Sequence, residues 1–295
     1  MSSRPLRHTF DILVIGQRLA ILPVAVAVYF VIAGLVIQSF QLQMIHRGSA
    51  GSLMNTLLLG MLLSFRNQAA CARWWEARGL WGQLTNDCRN LAAKCAAFVP
   101  ADVLARSSIR AILANFLEAL NRHLRGESIR LRDLPGFGHE DGKRPRVPLD
   151  LANRLFATLG GWKRDGHVDQ GVLWVLDDHA RGLLDVCGGC EKIRSTPLSP
   201  AYKVLLRAGL VLNVLAAPFL IVPEDGLWTL PVILLVCFFL FGVELIDSII
   251  EEPFGRDRDD LDLDRYCRTI RESVEASLHR LPKHPEPRTE YAHLT

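Results

Sequence analysis

Apolar and polar positions are segregated in blocks along this chain. Four stretches carry no charge: residues 19–40, 48–65, 208–222 and 226–243. A bilayer's hydrocarbon core takes about 20 apolar residues in a helix, so each stretch reads as a transmembrane helix. The second is weaker at its start, where Gly48, Ser49, Gly51 and Ser52 suggest a wetter entry. The third extends back through Val204 to Leu206, with Arg207 reaching for the interface, and it contains Pro218. Only Glu224 and Asp225, beside Pro223 and Gly226, separate it from the fourth, which predicts a tight helical hairpin.

Between the second and third stretches the pattern turns amphipathic. Trp74, Trp81 and Cys88 recur every seven residues; Leu104, Ile109, Ile112, Phe116 and Leu120 form a second helical stripe, and Leu173, Leu176, Leu183 and Leu184 a third. Residues 126–148 (GESIRLRDLPGFGHEDGKRPRVP) are rich in Gly, Pro and charge and predict a loop. Beyond Pro253 a last helix is signalled by Asp262 or Asp264 as its cap, then Tyr266, Ile270 and Val274 at four-residue steps. No internal repeat and no strand pattern stands out. The expectation is an all-α membrane protein: residues 1–66 with transmembrane helices 1 and 2, a cytosolic helical domain at 67–203, transmembrane helices 3 and 4 at 204–252, and a cytosolic C-terminal segment at 253–295.

No Gly or Pro lies between Gly60 and Gly79, so the second stretch predicts one helix that leaves the bilayer and continues through RWWEARGLWG (residues 73–82). Arg73, Glu76 and Arg78 need water or partners, while Trp74, Trp75 and Trp81 have large surfaces to bury. That mix fits a helix received by a cytosolic assembly, and equally an amphipathic helix with interfacial tryptophans.

Charge adds the topology. Arg4, Arg7, Arg18, Arg66, Arg73, Arg78, Lys203, Arg207, Arg256 and Arg258 flank one side of the four spans; the opposite loops carry His46 and Arg47, or Glu224 and Asp225. Both termini and the middle domain therefore face the cytoplasm. A net charge of +3, with basic residues scattered among acids, gives no nucleic-acid footprint. Seven cysteines, mostly in apolar helical contexts, fit reduced thiols.

Candidate chemistry is sparse. Leu57, Met61 and Phe65 lie four apart on one face of the second span, beside a small or polar stripe of Thr56, Gly60 and Ser64. Either the helix packs through its small residues, or one stripe lines a pore whose apolar rings gate by dewetting. The run EEPFGRDRDDLDLD (251–264) is dense in carboxylates, but it lacks the EF-hand glycine and its internal arginines neutralise it. CGGC at residues 187–190 has neither a βαβ context nor a second ligand pair. No hydrolase, zinc-protease or nucleotide-binding motif appears, so no enzyme is expected.

Three blocks together resemble the bestrophin family, its bacterial branch above all: FRNQAACARWWEARGLWGQLTNDCRNLA (65–92), CEKIRSTPLSPAYKVLLR (190–207) and IIEEPFGRDRDDLDLDRYCRTI (249–270). The likeness covers nearly the whole chain and is weakest over 125–168. It implies a homopentamer around one central pore, passing small monovalent ions across a bacterial inner membrane, with a hydrophobic neck whose three rings match Leu57, Met61 and Phe65. A second constriction near the cytosolic exit would fall around Val172. Asp257 and Asp260 match side-chain ligands of the Ca²⁺ clasp in eukaryotic bestrophins, which conduct anions. Arg256 and Arg258 stand where that run is acidic, and each would weaken a divalent site by roughly 1–4 kcal/mol; weak or absent Ca²⁺ gating is expected, and no other cofactor. Members of the branch differ in charge preference. Glu244, Asp247 and Glu251 share the cytosolic end of the fourth span, where they either face the vestibule and favour cations or pair with Arg66 or Arg73. The alternative to a channel is a non-conducting, membrane-anchored helical scaffold that binds a cytosolic partner.

Overall fold

The computed structural model describes residues 24–37, 39, 49–136, 146–225, 230–257 and 259–279. Helices account for nearly all of them, and no strand occurs among the described residues. In chain order they are α1 (Val24–Ile37), α2 (Ser49–Phe98), α3 (Ala101–Arg106), α4 (Ile109–Leu124), α5 (Val147–Arg164), α6 (Gln170–Ser195), α7 (Pro200–Asp225), α8 (Leu230–Ile250) and α9 (Leu263–His279). The expected hairpin turn lies partly outside the described residues, and so do the first residues of span one.

The chain forms two compact units. Met1–Trp75 with Thr196–Asp260 make one, and Glu76–Ser195 with Leu261–Thr295 make the other. The division falls inside α2, whose 50 residues run without a break. At 1.5 Å per residue that is about 75 Å of helix, far more than a hydrocarbon core of about 30 Å requires. Continuity follows from the absence of Pro in the segment and from a single packing seam. Leu59, Leu63, Arg66, Ala70, Ala77, Trp81, Leu84, Cys88, Leu91 and Cys95 are buried, with half-buried Trp74 between Ala70 and Ala77. The steps alternate between three and four and average the 3.6 residues of a helical turn, so the buried positions lie on one face of the helix in each unit.

In the first unit, α1, α7 and α8 share a small core of Val26, Phe30, Val214, Ala217 and Cys237. The Tyr29 hydroxyl donates to the Leu215 carbonyl at 2.7 Å. α7 packs on α2 closely enough that a Cβ at Gly209 would come within 2.9 Å of the Leu59 side chain, and the Tyr202 hydroxyl donates to the Leu62 carbonyl at 2.8 Å. α7 starts at Pro200, four residues before the apolar run was expected to begin, because proline at the first helical position forfeits no internal hydrogen bond.

The second unit holds the larger core. Ile109, Ile112, Phe116 and Leu120 of α4 are buried as the stripe predicted, together with Leu151, Leu155 and Leu159 of α5 and Leu176 and Leu183 of α6. α5 corrects the sequence reading: Val147 and Pro148, assigned to the loop, are the first turn of this helix. In α9, Asp262 is the cap, its Oδ1 accepting the Arg265 N–H at 3.0 Å. Asp264 instead accepts from Asn121 at 2.8 Å and from Arg125 at 3.1 Å, tying α9 to α4.

Candidate functional site

Around the first half of α2 the buried seam and an exposed stripe sit side by side. Leu57, Met61 and Phe65 are 73%, 58% and 50% exposed on the single chain. Gly60 and Ser64 are exposed too, and a Cβ at Gly60 would meet no atom within 4 Å. The small residues therefore bring no other helix of the same chain close. The apolar stripe presents three large side chains to whatever surrounds the protomer. Water alone would disfavour that exposure by roughly 1.5–3 kcal/mol per side chain.

Directly after Phe65 the seam carries its single charge. Arg66 is wholly buried, and its Nη1 donates to Glu244 Oε1 of α8 at 3.1 Å. The same oxygen takes Arg207 Nε of α7 at 2.8 Å. One turn further along α8, Asp247 is 1% exposed, and neither carboxylate oxygen has a hydrogen-bond donor. Glu251, a turn further still, receives Lys203 Nζ at 2.7 Å and the Leu198 N–H at 3.2 Å. Arg73 donates to the carbonyls of Glu251 and Thr196. Of the two readings open for the Glu244–Asp247–Glu251 face, pairing within the chain is what the geometry gives for Glu244 and Glu251. The partners Arg207 and Lys203 were not foreseen; their only sequence signal was a basic residue inside or beside an apolar run.

The tryptophans divide by role. Trp81 is fully buried, its ring 5.8 Å from that of Tyr266. Trp74 is half-buried and its indole N–H donates to the Asp259 carbonyl at 3.0 Å. Trp75 is exposed, contrary to the expectation that all three bury their surface.

Val172 lies in the first turn of α6, half-buried, its N–H donating to the capping Asp169 carboxylate at 2.7 Å. Sequence reading also missed the join of α2 to α6 in the same unit. His179 bridges Asp87 Oδ1 at 3.1 Å and Lys94 Nζ at 2.6 Å. Gly182 gives the Asp87 carboxylate its room: a Cβ there would lie 2.7 Å from Cγ.

In the acidic turn, Asp260 Oδ2 accepts the Asp257 N–H at 2.6 Å and rests against Gly255. Burial pushes the Asp260 carboxyl up to about 6, with the nearby charges of Asp257, Asp259 and Glu252 adding to it against the opposing N–H of Asp257. Among the described residues no three His, Cys, Asp or Glu side chains converge as ligands for a metal ion. The turn uses Asp260 on its own backbone, which does not fit a built Ca²⁺ cage. Cys187 and Cys190 are buried and unbridged, and burial pushes both thiols up to about 12, so they are inert as nucleophiles.

A long unbroken helix, buried along one seam and bare along an apolar stripe in its first half, defines an all-helical class of protein. The family described as Bacterial/Fungal Bestrophin protein matches residues 2–276, and the chain belongs to it. A relative from a Nostoc species, named as a voltage-dependent anion channel-forming protein, is 35% identical over 76% of this chain and 76% of its own. Another of that name, from Mesorhizobium japonicum, is 32% identical over 76% and 73%. The fold matches the crystal structure of a bacterial bestrophin homologue from Klebsiella pneumoniae with a TM-score of 0.78 at 24% identity, covering 87% of this chain and 97% of that one.

Proposed function

We propose that the chain is one subunit of a homopentameric ion channel in the bacterial inner membrane, both termini cytoplasmic, passing small monovalent ions. Leu57, Met61 and Phe65 form its neck. The observation that carries this reading is the bare apolar stripe on a helix whose opposite face is already packed. Five copies arranged about an axis would turn the stripe into three apolar rings. Rings of that kind exclude water when narrow, and so gate without a moving plug. The relatives named as anion channel-forming proteins support conduction as the activity. Glu244 and Glu251 are neutralised by Arg66, Arg207 and Lys203, so charge selection is not assigned to that face. Val172 is assigned to a second constriction at the cytosolic exit. Ca²⁺ has at most a weak effect, because the acidic turn binds its own backbone and carries Arg256 and Arg258.

The test is ion flux into liposomes loaded with purified protein. Changing each of the three neck residues to Ala raises flux or alters selectivity, and the triple variant does so most. Pentamers that pass no ions at any voltage would support a scaffold that binds a cytosolic partner instead.

A further inference from the structure

Arg66 is the one charge in the buried seam of α2 and follows the last neck residue. We propose that it is the positioning residue of the neck, and that Asp247 is its proton-operated second counter-ion, so that conduction follows cytosolic pH. The proposal rests on the channel reading above.

The geometry leaves an unusual remainder. Arg66 uses Nη1 on Glu244, while its Nε and Nη2 are buried with no acceptor. Asp247 is buried with no donor on either oxygen. The charged groups that act on Asp247 are Arg66 from α2 and, on its own helix, Glu244 and Glu251. From α7, Arg207 and Lys203 are taken up by those two glutamates. Arg66 is thus the cation available to an ionised Asp247. Among the described residues the α7 cations are engaged by Glu244 and Glu251, and these two carboxylates flank the site one turn away on each side. Of all ligands, a proton needs no cavity and removes the uncompensated charge.

Two states follow. With Asp247 ionised, Arg66 has two anchors on α8, and the inner end of α2 is held against α8 on the side away from the stripe. With Asp247 protonated, Arg66 keeps only Glu244, which it shares with Arg207. The tie loosens, α2 leans off α8 toward its bare face, and the neck narrows. Acid on the cytosolic side therefore lowers flux. No group changes other than the carboxyl, which gains one proton from water.

The experiment measures liposome flux over a series of cytosolic-side pH values. Wild type loses flux several-fold toward acid. Asp247→Asn stays at the acid level throughout, and Asp247→Glu keeps a pH dependence. Arg66→Gln moves the midpoint to higher pH, since the favourable charge beside the carboxylate is gone; this variant tests the idea even if Asp247→Asn does not assemble. Infrared difference spectra of the assembled protein in an Asp260→Asn background give a readout independent of conduction: a protonated-carboxyl stretch grows in toward acid and is lost when Asp247→Asn is added. A wild-type pH profile in Asp247→Asn, or a carboxyl band unchanged by that substitution, overturns the proposal. Absence of flux at every pH with the band intact overturns the channel reading and leaves the proton site standing.

Discussion

The two halves of α2 share one helix and one seam but differ in what their other faces meet. From Glu76 onward the seam residues Trp81, Leu84, Cys88, Leu91 and Cys95 are wholly buried, and large apolar side chains outside it are few. Before Trp75, Leu57, Leu58, Met61 and Phe65 all stand exposed. In water such a surface would drive association or precipitation. The first half presents an apolar surface that the single chain leaves uncovered, and the proposed channel is one arrangement that would cover it. The second half completes its core from its own chain.

Substitutions that respect this division should separate stability from conduction. Trp81→Ala removes a fully buried ring and should lower stability by about 3–5 kcal/mol, read as a large drop in the thermal midpoint of the solubilised protein. Phe65→Ala should cost within about 0.5 kcal/mol by the same assay, yet change flux. If Phe65→Ala unfolds the protein as Trp81→Ala does, the halves do not differ as described. A smaller effect comes from Gly182→Val, which pushes a side chain into the Asp87 carboxylate. The expected cost is about 1–3 kcal/mol for overpacking, with flux per folded protein unchanged.

The smallest effect concerns pH. Asp260's carboxyl is held up to about 6, above its ordinary value of 3.8. A raised carboxyl favours the folded state while protonated, and that contribution is lost as pH rises through about 6. Asp260→Asn cannot ionise, so its thermal midpoint relative to wild type should rise between about pH 4 and pH 7. A relative fall over that window would mean the carboxylate is stabilised in the turn, as a metal ligand would be.

How much of this was legible in the sequence depends on the range of the interaction. The seam through Trp81 and Cys88 was visible because it repeats within a few turns. The α4 stripe was visible for the same reason. α5 was hidden because Pro148 reads as a breaker unless it is recognised as part of a first turn. The Arg66–Glu244 pair joins residues 178 positions apart, and no local pattern chooses between that partner and open water. The stripe itself was readable, but its facing was not, since nothing among the described residues of one chain packs over Leu57, Met61 and Phe65.

The central claim is that this stripe borders the ion path. The direct measurement puts a single cysteine at each position, Leu57→Cys, Met61→Cys and Phe65→Cys, in a Cys71→Ser background, since Cys71 is the one native thiol that is not buried. Flux is recorded while a charged, membrane-impermeant thiol reagent is added. Rapid block at all three positions, relieved by reductant, is the predicted result. Flux untouched at all three, with the same thiols labelled by a lipid-soluble reagent, would place the stripe against lipid and contradict the account.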